Sequence, residues 1–448
     1  MPTLLRLNLE QFRHEIDRAS LPLVFQDAID YAKRAKLRYL WIDALCIIQD
    51  DEEDLSREIS AMGNIYSNAH CNIVAAAAAD RPVGLFAKGR LPHIPRPTIE
   101  FQRKDFSCHC QAFTRDTMSH NDIKLLRRGW VLQERLLSPR SIYFDDQLTW
   151  ECSELVANEI FPEGLPGFRE ETPFKIQNLL KVNDIECPSC QVVHVERQMY
   201  DQWYKLVSTY MSCQLTYEDD TLPAISGLAK RFNKILNDEY LAGLWKQDLP
   251  LALLWFRKTS PKGKLKRTAP SWSWASTRWE IDHVFRLESP TIVAEIIEAK
   301  IEYQGADIYG KVTGGYLRMS GYLRPVKDTT STWEMGCPSE FREWFDDGYS
   351  KRGKRSVKGA FYFLLAYRPA TQVLSYCNPK KQKTVVWEPA RSLGLILELV
   401  GDQTDTYRRI GAFAHPLGKH RSEEDAKFVS AFSSICTHCE VRREITII

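Results

Sequence analysis

The sequence predicts two parts: an N-terminal α/β domain on a parallel sheet, then an α+β region that is largely β. Three observations carry this expectation. Residues 39–48 and 73–78 are nearly continuous apolar runs, the texture of strands covered on both faces. A stretch of helical period lies between them, and strand, helix, strand is the signature of a crossover between parallel strands. Beyond residue 279 the helical periods give way to short apolar stretches separated by turn residues.

The chain has 448 residues, enough for two to three domains at roughly 150 residues each. Hydrophobic residues make up 44% and charged residues 26%, the balance of an ordinary globular protein, which excludes collagen-like and wholly disordered classes. The formal net charge of +2 draws the chain neither to nucleic acid nor to anionic lipid. Its longest unbroken apolar stretch, residues 73–79, is far shorter than the roughly 20 residues of a membrane helix. Arg6, Glu10, Arg13 and Glu15 stand where a signal peptide carries its apolar segment, so a cytoplasmic protein is expected, with no membrane and no nucleic-acid partner. The 12 cysteines are scattered rather than framed, as suits reduced thiols.

In chain order, Pro22 opens a helix whose Phe25, Ala28, Ile29 and Ala32 share one face and which ends near Ala35. The expected strand over 39–48 follows, with Asp43 at or near its C-terminal end, where parallel sheets bind ligands. The acidic run from Asp50 to Asp54 suits the positive start of a second helix, lined on one face by Leu55, Ile59, Met62 and Tyr66. Residues 73–78 read as the next strand, and 81–120 hold only weak strands. Residues 129–137 read as a helix stopped by Ser138 and Pro139, and 141–144 with 148–152 as a hairpin. The Pro- and Gly-rich connector over 159–171 separates a domain at 1–158 from a region at 172–448. That region opens with helices over 197–211 and 223–236. Its Trp272 and Trp274 are expected to pack between domains, and the basic residues of 351–358 to form a solvated loop.

Glu58 is the most informative single position, because it sits on the flank of the buried stripe of its helix. An unpaired carboxylate there is costly, so it needs a cation or a donor, or else a raised pKa as at functional sites. The helix over 129–137 is apolar nearly all round, so Gln133 and Glu134 must be satisfied inside the protein or line a cleft. Arg128 and Arg135 are at hand to pair with Glu58, Glu134 or Asp43, and these groups are expected to meet at the strand ends. A purely structural salt bridge remains the competing reading for Glu58. The pairs Cys108/Cys110, Cys187/Cys190 and Cys436/Cys439 invite a zinc site, but they lack the spacing of a compact module, and no metal is expected. The sequence has no GxGxxG, P-loop, GxSxG or HExxH motif.

The stretch YLWIDALCIIQDD at 39–51, with Glu58, IYSNA at 65–69, RGWVLQERLLSPR at 128–140 and WEC at 150–152, closely resembles the fungal heterokaryon incompatibility (HET) domain family. LPLVFQDAI at 21–29 fits the family's preceding helix. LTYEDDTLPAISGLAKRF at 215–232, YLAGLW at 240–245, LLWF at 253–256 and APSWSWAS at 269–276 look like the C-terminal region of long members. The resemblance implies a role in fungal non-self recognition and programmed cell death. It also implies a fold distantly similar to the flavodoxin-like Toll/interleukin-1 receptor (TIR) domain, some members of which cleave NAD with a glutamate. Asp43, Asp50, Glu58, Arg128, Trp130, Gln133, Glu134 and Arg135 fall within the family's motifs. One departure is the family's usual first strand, approximately Y-x-A-L-S-Y-x-W-G, which has no counterpart before residue 21, so a truncated domain with an exposed sheet edge is expected.

Three functions follow from the resemblance. The first is signalling through protein partners of an incompatibility pathway, with a homo-oligomer as one form of assembly. The second is a TIR-like NAD glycohydrolase in which Glu58 stabilises the charge that develops at the ribose; NAD is then a substrate, and no cofactor is expected. The third is a degenerate copy without activity.

Overall fold

A computed structural model describes residues 2–79, 84–86, 98–103, 106–111, 123–145, 147–165, 175–181, 195–258, 268–283, 290–325, 342–345, 360–368, 371–375, 384–388, 391–401, 404–416 and 442–448. The chain divides into two compact units. The first comprises Met1–Asn183, Cys213–Leu215 and Pro223–Leu228; the second comprises Asp184–Ser212, Thr216–Leu222 and Ala229–Ile448.

The first unit opens with helix α1 (Leu9–His14) and α2 (Leu23–Arg34), then a single helical turn, α3 (Asp43–Cys46), and the long α4 (Glu52–Asn68). Strand β1 (Asn72–Val74) leads to the hairpin β2 (Thr98–Arg103) and β3 (Phe106–Gln111). Helix α5 (Gly129–Leu137), strands β4 (Arg140–Phe144), β5 (Leu148–Cys152) and β6 (Val156–Asn158), and the short α6 (Ile176–Leu179) complete it. α4 starts where the acidic run predicts. The Asp51 carboxylate caps it by accepting the N–H groups of Glu53 at 3.1 Å and Asp54 at 3.2 Å, and three further carboxylates lie in its first turn.

The sheet of this unit has the order β1-β4-β5-β6. Only β1 and β4 run parallel; the other pairings are antiparallel. One face, through Ile73, Ile142, Phe144 and Leu148, packs against Ala28, Val24 and Tyr31 of α2. The opposite face carries Val74 and Tyr143, covered by Ile123, Leu125 and Leu126.

Two expectations are corrected here. Residues 39–48 form no strand: apart from α3 they are irregular, so the sheet is mixed rather than parallel, and Asp43 opens a helical turn instead of ending a strand. The physical reason lies in what satisfies the backbone. Leu4 donates to Ala44 and accepts from Gln49, and the buried Asp54 carboxylate accepts the Ile48 N–H at 2.8 Å, so no neighbouring strand is needed. The apolar residues of this run are not all interior either, since Tyr39 is 80% exposed. The second correction is the run over 73–78, which is a strand only as far as Val74 before Ala77–Ala79 turns into a 3-10 helix.

The second unit begins with α7 (Val195–Met211) and takes in α8 (Ser226–Leu236) from Ala229 onward. Its strands are β7 (Tyr240–Leu241), β8 (Leu244–Trp245), β9 (Trp255–Arg257), β10 (Ile281–His283), β11 (Thr291–Ile292), β12 (Glu295–Tyr303), β13 (Val312–Pro325) and β14 (Arg342–Phe345). They continue with β15 (Ala360–Arg368), β16 (Thr371–Ser375), β17 (Thr384–Glu388), β18 (Arg391–Leu399), β19 (Thr406–Pro416) and β20 (Arg443–Ile447). The large sheet runs β11-β15-β18-β19-β20-β13-β12. The long β13 turns back so that residues 322–325 also pair with β15, which closes a ring through β13, β15, β18, β19 and β20.

Trp203, Trp245, Trp255, Trp272 and Trp274 of the second unit are fully buried, and Trp255, Gly243 and Tyr210 of the same unit contact Trp272 and Trp274. Arg409 is buried with them; its guanidinium lies 3.5 Å over the Trp255 ring and donates to the Trp255 carbonyl. The segments 351–358 and 187–194 and the Cys436/Cys439 pair lie outside the described residues, as do the side chains of Cys108 and Cys110. No helix among the described residues is long and apolar enough to cross a membrane.

Candidate functional site

Three helical segments of the first unit bring charged groups together. α3 supplies Asp43 and Cys46, α4 supplies Glu58 and Tyr66, and Arg128 and Glu134 stand at the start and on the body of α5. Asp43 lies on the exposed side of its turn and accepts the Ala44 N–H at 2.7 Å, which fixes the carboxylate at the turn's entrance. Glu58 and Tyr66 are eight residues apart on α4 and so share a face, Glu58 one turn before Met62 and Tyr66 one turn after it.

The centre of the cluster is the pair Tyr66 and Glu134. The Tyr66 hydroxyl donates to the Glu134 carboxylate, and the edge of the Tyr66 ring meets Trp41 with centroids 5.6 Å apart. Burial pushes the Glu134 carboxyl up to about 7; the Tyr66 hydrogen bond opposes this, the Asp43 charge adds to it, and Arg128 opposes it. The Tyr66 hydroxyl is itself raised, by burial first and then by the charges of Glu134 and Asp43. Cys46 is raised by partial burial of its sulfur, which its hydrogen bond with the Ile42 backbone opposes, and the charges of Asp43 and Glu58 both add to the rise. Glu58 is half-buried, and the Arg57 guanidinium lies 3.8 Å from it while pairing more closely with Asp54. A contact that long and that exposed holds Glu58 only weakly.

Asp43, Glu58, Arg128 and Glu134 thus share one electrostatic neighbourhood, but not at the ends of strands. The other expected residues lie elsewhere. Arg135 turns away to the buried Glu151, which it grips with two hydrogen bonds at 2.8 and 2.9 Å. Gln133 is fully buried, and its Oε1 accepts the Gly227 N–H at 2.7 Å, fixing the start of α8 where Gly63 and Gly227 leave no room for a Cβ. Asp50 is an exposed acceptor for the Arg6 N–H at 2.8 Å, and Trp130 is half-buried on α5.

Sequence reasoning took Tyr66 for a core residue; its spacing from Glu58 along one helix face was the available signal. It missed the second network altogether. Glu151 accepts from Arg135 and from the Tyr143 hydroxyl at 2.5 Å, and lies 3.7 Å from the buried Lys175 ammonium, which donates to the Ser141 hydroxyl and the Arg135 carbonyl at 2.8 Å each. Strand register places Ser141 directly opposite Glu151, but nothing local in the sequence points to Lys175.

A carboxyl raised to about 7 with other carboxyl groups nearby in less buried positions suits acid–base work. The linkage has a definite sign. The folded state binds the Glu134 proton more tightly than the unfolded chain, whose carboxyl has the ordinary value of 4.5. The stabilisation is therefore complete below that value and lost as pH rises through about 7. Between about pH 5 and 7.5, urea unfolding should show the protein losing about 2 kcal/mol relative to Glu134→Gln, which cannot titrate. Parallel pH profiles for the two proteins would contradict the assignment.

Residues 3–134 match the family model described as Heterokaryon incompatibility protein (HET). The amino-terminal part of this chain is therefore similar to the HET domain, and the matched segment contains Asp43, Cys46, Glu58, Tyr66, Arg128 and Glu134. No curated protein and no solved structure matches the chain.

Proposed function

We propose that the protein is a cytoplasmic signalling component of fungal heterokaryon incompatibility, in which the N-terminal unit passes a non-self signal through protein partners and triggers growth arrest or death. The observation that carries this reading is the coincidence of the HET match with the Asp43, Glu58 and Glu134 neighbourhood, all of it within residues 3–134. The test is inducible expression of the full chain in a filamentous fungus. Growth arrest that follows induction supports the reading; normal growth at confirmed protein levels refutes it.

The half-open carboxylate cluster favours a second reading, in which the HET domain is TIR-like and cleaves NAD. Glu58, weakly held, then stabilises the oxocarbenium-like charge as nicotinamide leaves, and NAD is consumed as a substrate. Glu58→Gln keeps the shape and removes that charge, so nicotinamide release measured by chromatography should fall about a hundredfold in a variant that still folds. Arrest that persists with Glu58→Gln and without NAD loss would leave protein contact as the mechanism.

A further inference from the structure

The second unit holds a cavity of about 470 Å³ lined by two segments, one at 246–250 and one that runs from the end of β11 into β12. We propose that it is a binding site for a free aliphatic carboxylate, a fatty acid of medium chain length. The first segment contributes the buried Leu249 and Pro250, and the second contributes Ile292, Ile296 and Ile297.

A defect in the strand builds the apolar lining. Ile296 pairs with Met319 and Glu298 with Arg318, so β12 has one residue more than β13 over this interval, and Ile297 is a β-bulge. A regular strand sends successive side chains to opposite faces. Here the extra residue breaks the alternation, and Ile296 and Ile297 line the cavity in succession. Ile292 remains 48% exposed and Ile297 37%, so covering them with an aliphatic chain removes apolar surface from water.

The lining also selects the ligand. Apart from Lys246 and Glu298, every lining residue is aliphatic. A flat aromatic ligand finds no ring to stack on there, whereas a flexible aliphatic chain gains contact along its length. The volume lies within the range of small-molecule sites, in which a few polar groups fix the orientation of an apolar body. The two charged residues are not equivalent in this respect. Glu298 accepts the Tyr316 hydroxyl at 2.9 Å and lies 3.9 Å from Arg318, so β13 already holds its carboxylate. The half-exposed Lys246 ammonium donates to Glu239, and with three N–H groups it has donors left for a second carboxylate. An anionic head is therefore favoured over a cationic one, and one ammonium matches the single charge of a carboxylate.

Calorimetric titration of the full chain with decanoate, below the concentration at which it forms micelles, tests the proposal. Binding should saturate and should tighten about fourfold per added methylene from hexanoate to decanoate. Ile297→Asp should weaken decanoate binding at least about tenfold, and Ala299→Phe, which fills the same cavity, serves should that variant fail to fold. Lys246→Gln should abolish the preference for decanoate over decanol and keep the dependence on chain length, a split that unfolding does not produce. The proposal is overturned by a titration without saturable binding, by binding that neither Ile297→Asp nor Ala299→Phe weakens, by a preference for decanoate that survives in Lys246→Gln, or by tighter binding of decylammonium than of decanoate. Binding to phosphatidylglycerol vesicles without binding of free decanoate would overturn it too, by making the groove a membrane contact.

Discussion

Glu151→Ala is expected to lower the free energy of unfolding by about 3–5 kcal/mol, because it strands two cations that have no water to turn to. Glu151 is fully buried, Lys175 is fully buried, and Arg135 keeps only its outer edge open. Burial alone would raise the Glu151 carboxyl; the hydrogen bonds and charge of Arg135, then Lys175 and the Tyr143 hydroxyl, outweigh it and hold the group down at about 2. Burial in turn pulls Lys175 down to about 8, against the attraction of Glu151. Since the folded carboxyl sits below its ordinary value of 4.5, the contribution is present above that value and disappears as pH falls toward about 2. Urea unfolding at neutral pH measures the loss. Replacing Arg135, Glu151 and Lys175 together by apolar residues of similar size should recover most of it, because no charge is then left unpaired. A loss below about 1 kcal/mol for Glu151→Ala would mean that the network is not closed to solvent.

Gly243→Ala should cost about 3 kcal/mol in the second unit, from two independent causes. Gly243 has φ +99°, a conformation that strains any residue with a side chain, and a Cβ there would lie 2.6 Å from the Trp274 indole. That indole cannot step aside cheaply. The Trp274 and Trp203 N–H groups both donate to the Gly243 carbonyl, at 2.8 and 3.0 Å, and Trp203 packs edge-on against Trp245 and Phe232. The readout is the denaturant midpoint followed by tryptophan fluorescence. A shift worth less than about 0.5 kcal/mol would show that the ring cluster has slack that the contacts do not reveal.

These two sites also show what the sequence could and could not disclose. α5 was legible to the residue, because it is apolar nearly all round and Ser138 with Pro139 ends it. The β4–β5 hairpin was legible because a short turn separates two β-rich runs. The run over 39–48 misled because short apolar stretches look alike whether they become strands, turns or exposed segments. Its fate was decided by Leu4 and Asp54, which no local pattern connects to it. At the site, the wheel position of Glu58 and the buried helix of Glu134 were readable, but the partner of Arg135 was not. That choice depends on Lys175, which lies 40 residues away in sequence and has no periodicity around it.

The match to the HET family ends at residue 134, inside a helix that continues to Leu137. A fragment cut there would keep every carboxylate of the cluster and lose what holds them in place. β1 would lose β4, its only strand partner among the described residues; α4 would lose the buried Leu137 and the Gly227 crossing, and the sheet would lose Ile142, Tyr143 and Phe144. The stretch by which evolution is recognised and the stretch that physics needs to fold have different ends, so a soluble excised domain has to be cut after Lys175 and supplied with the 223–228 segment.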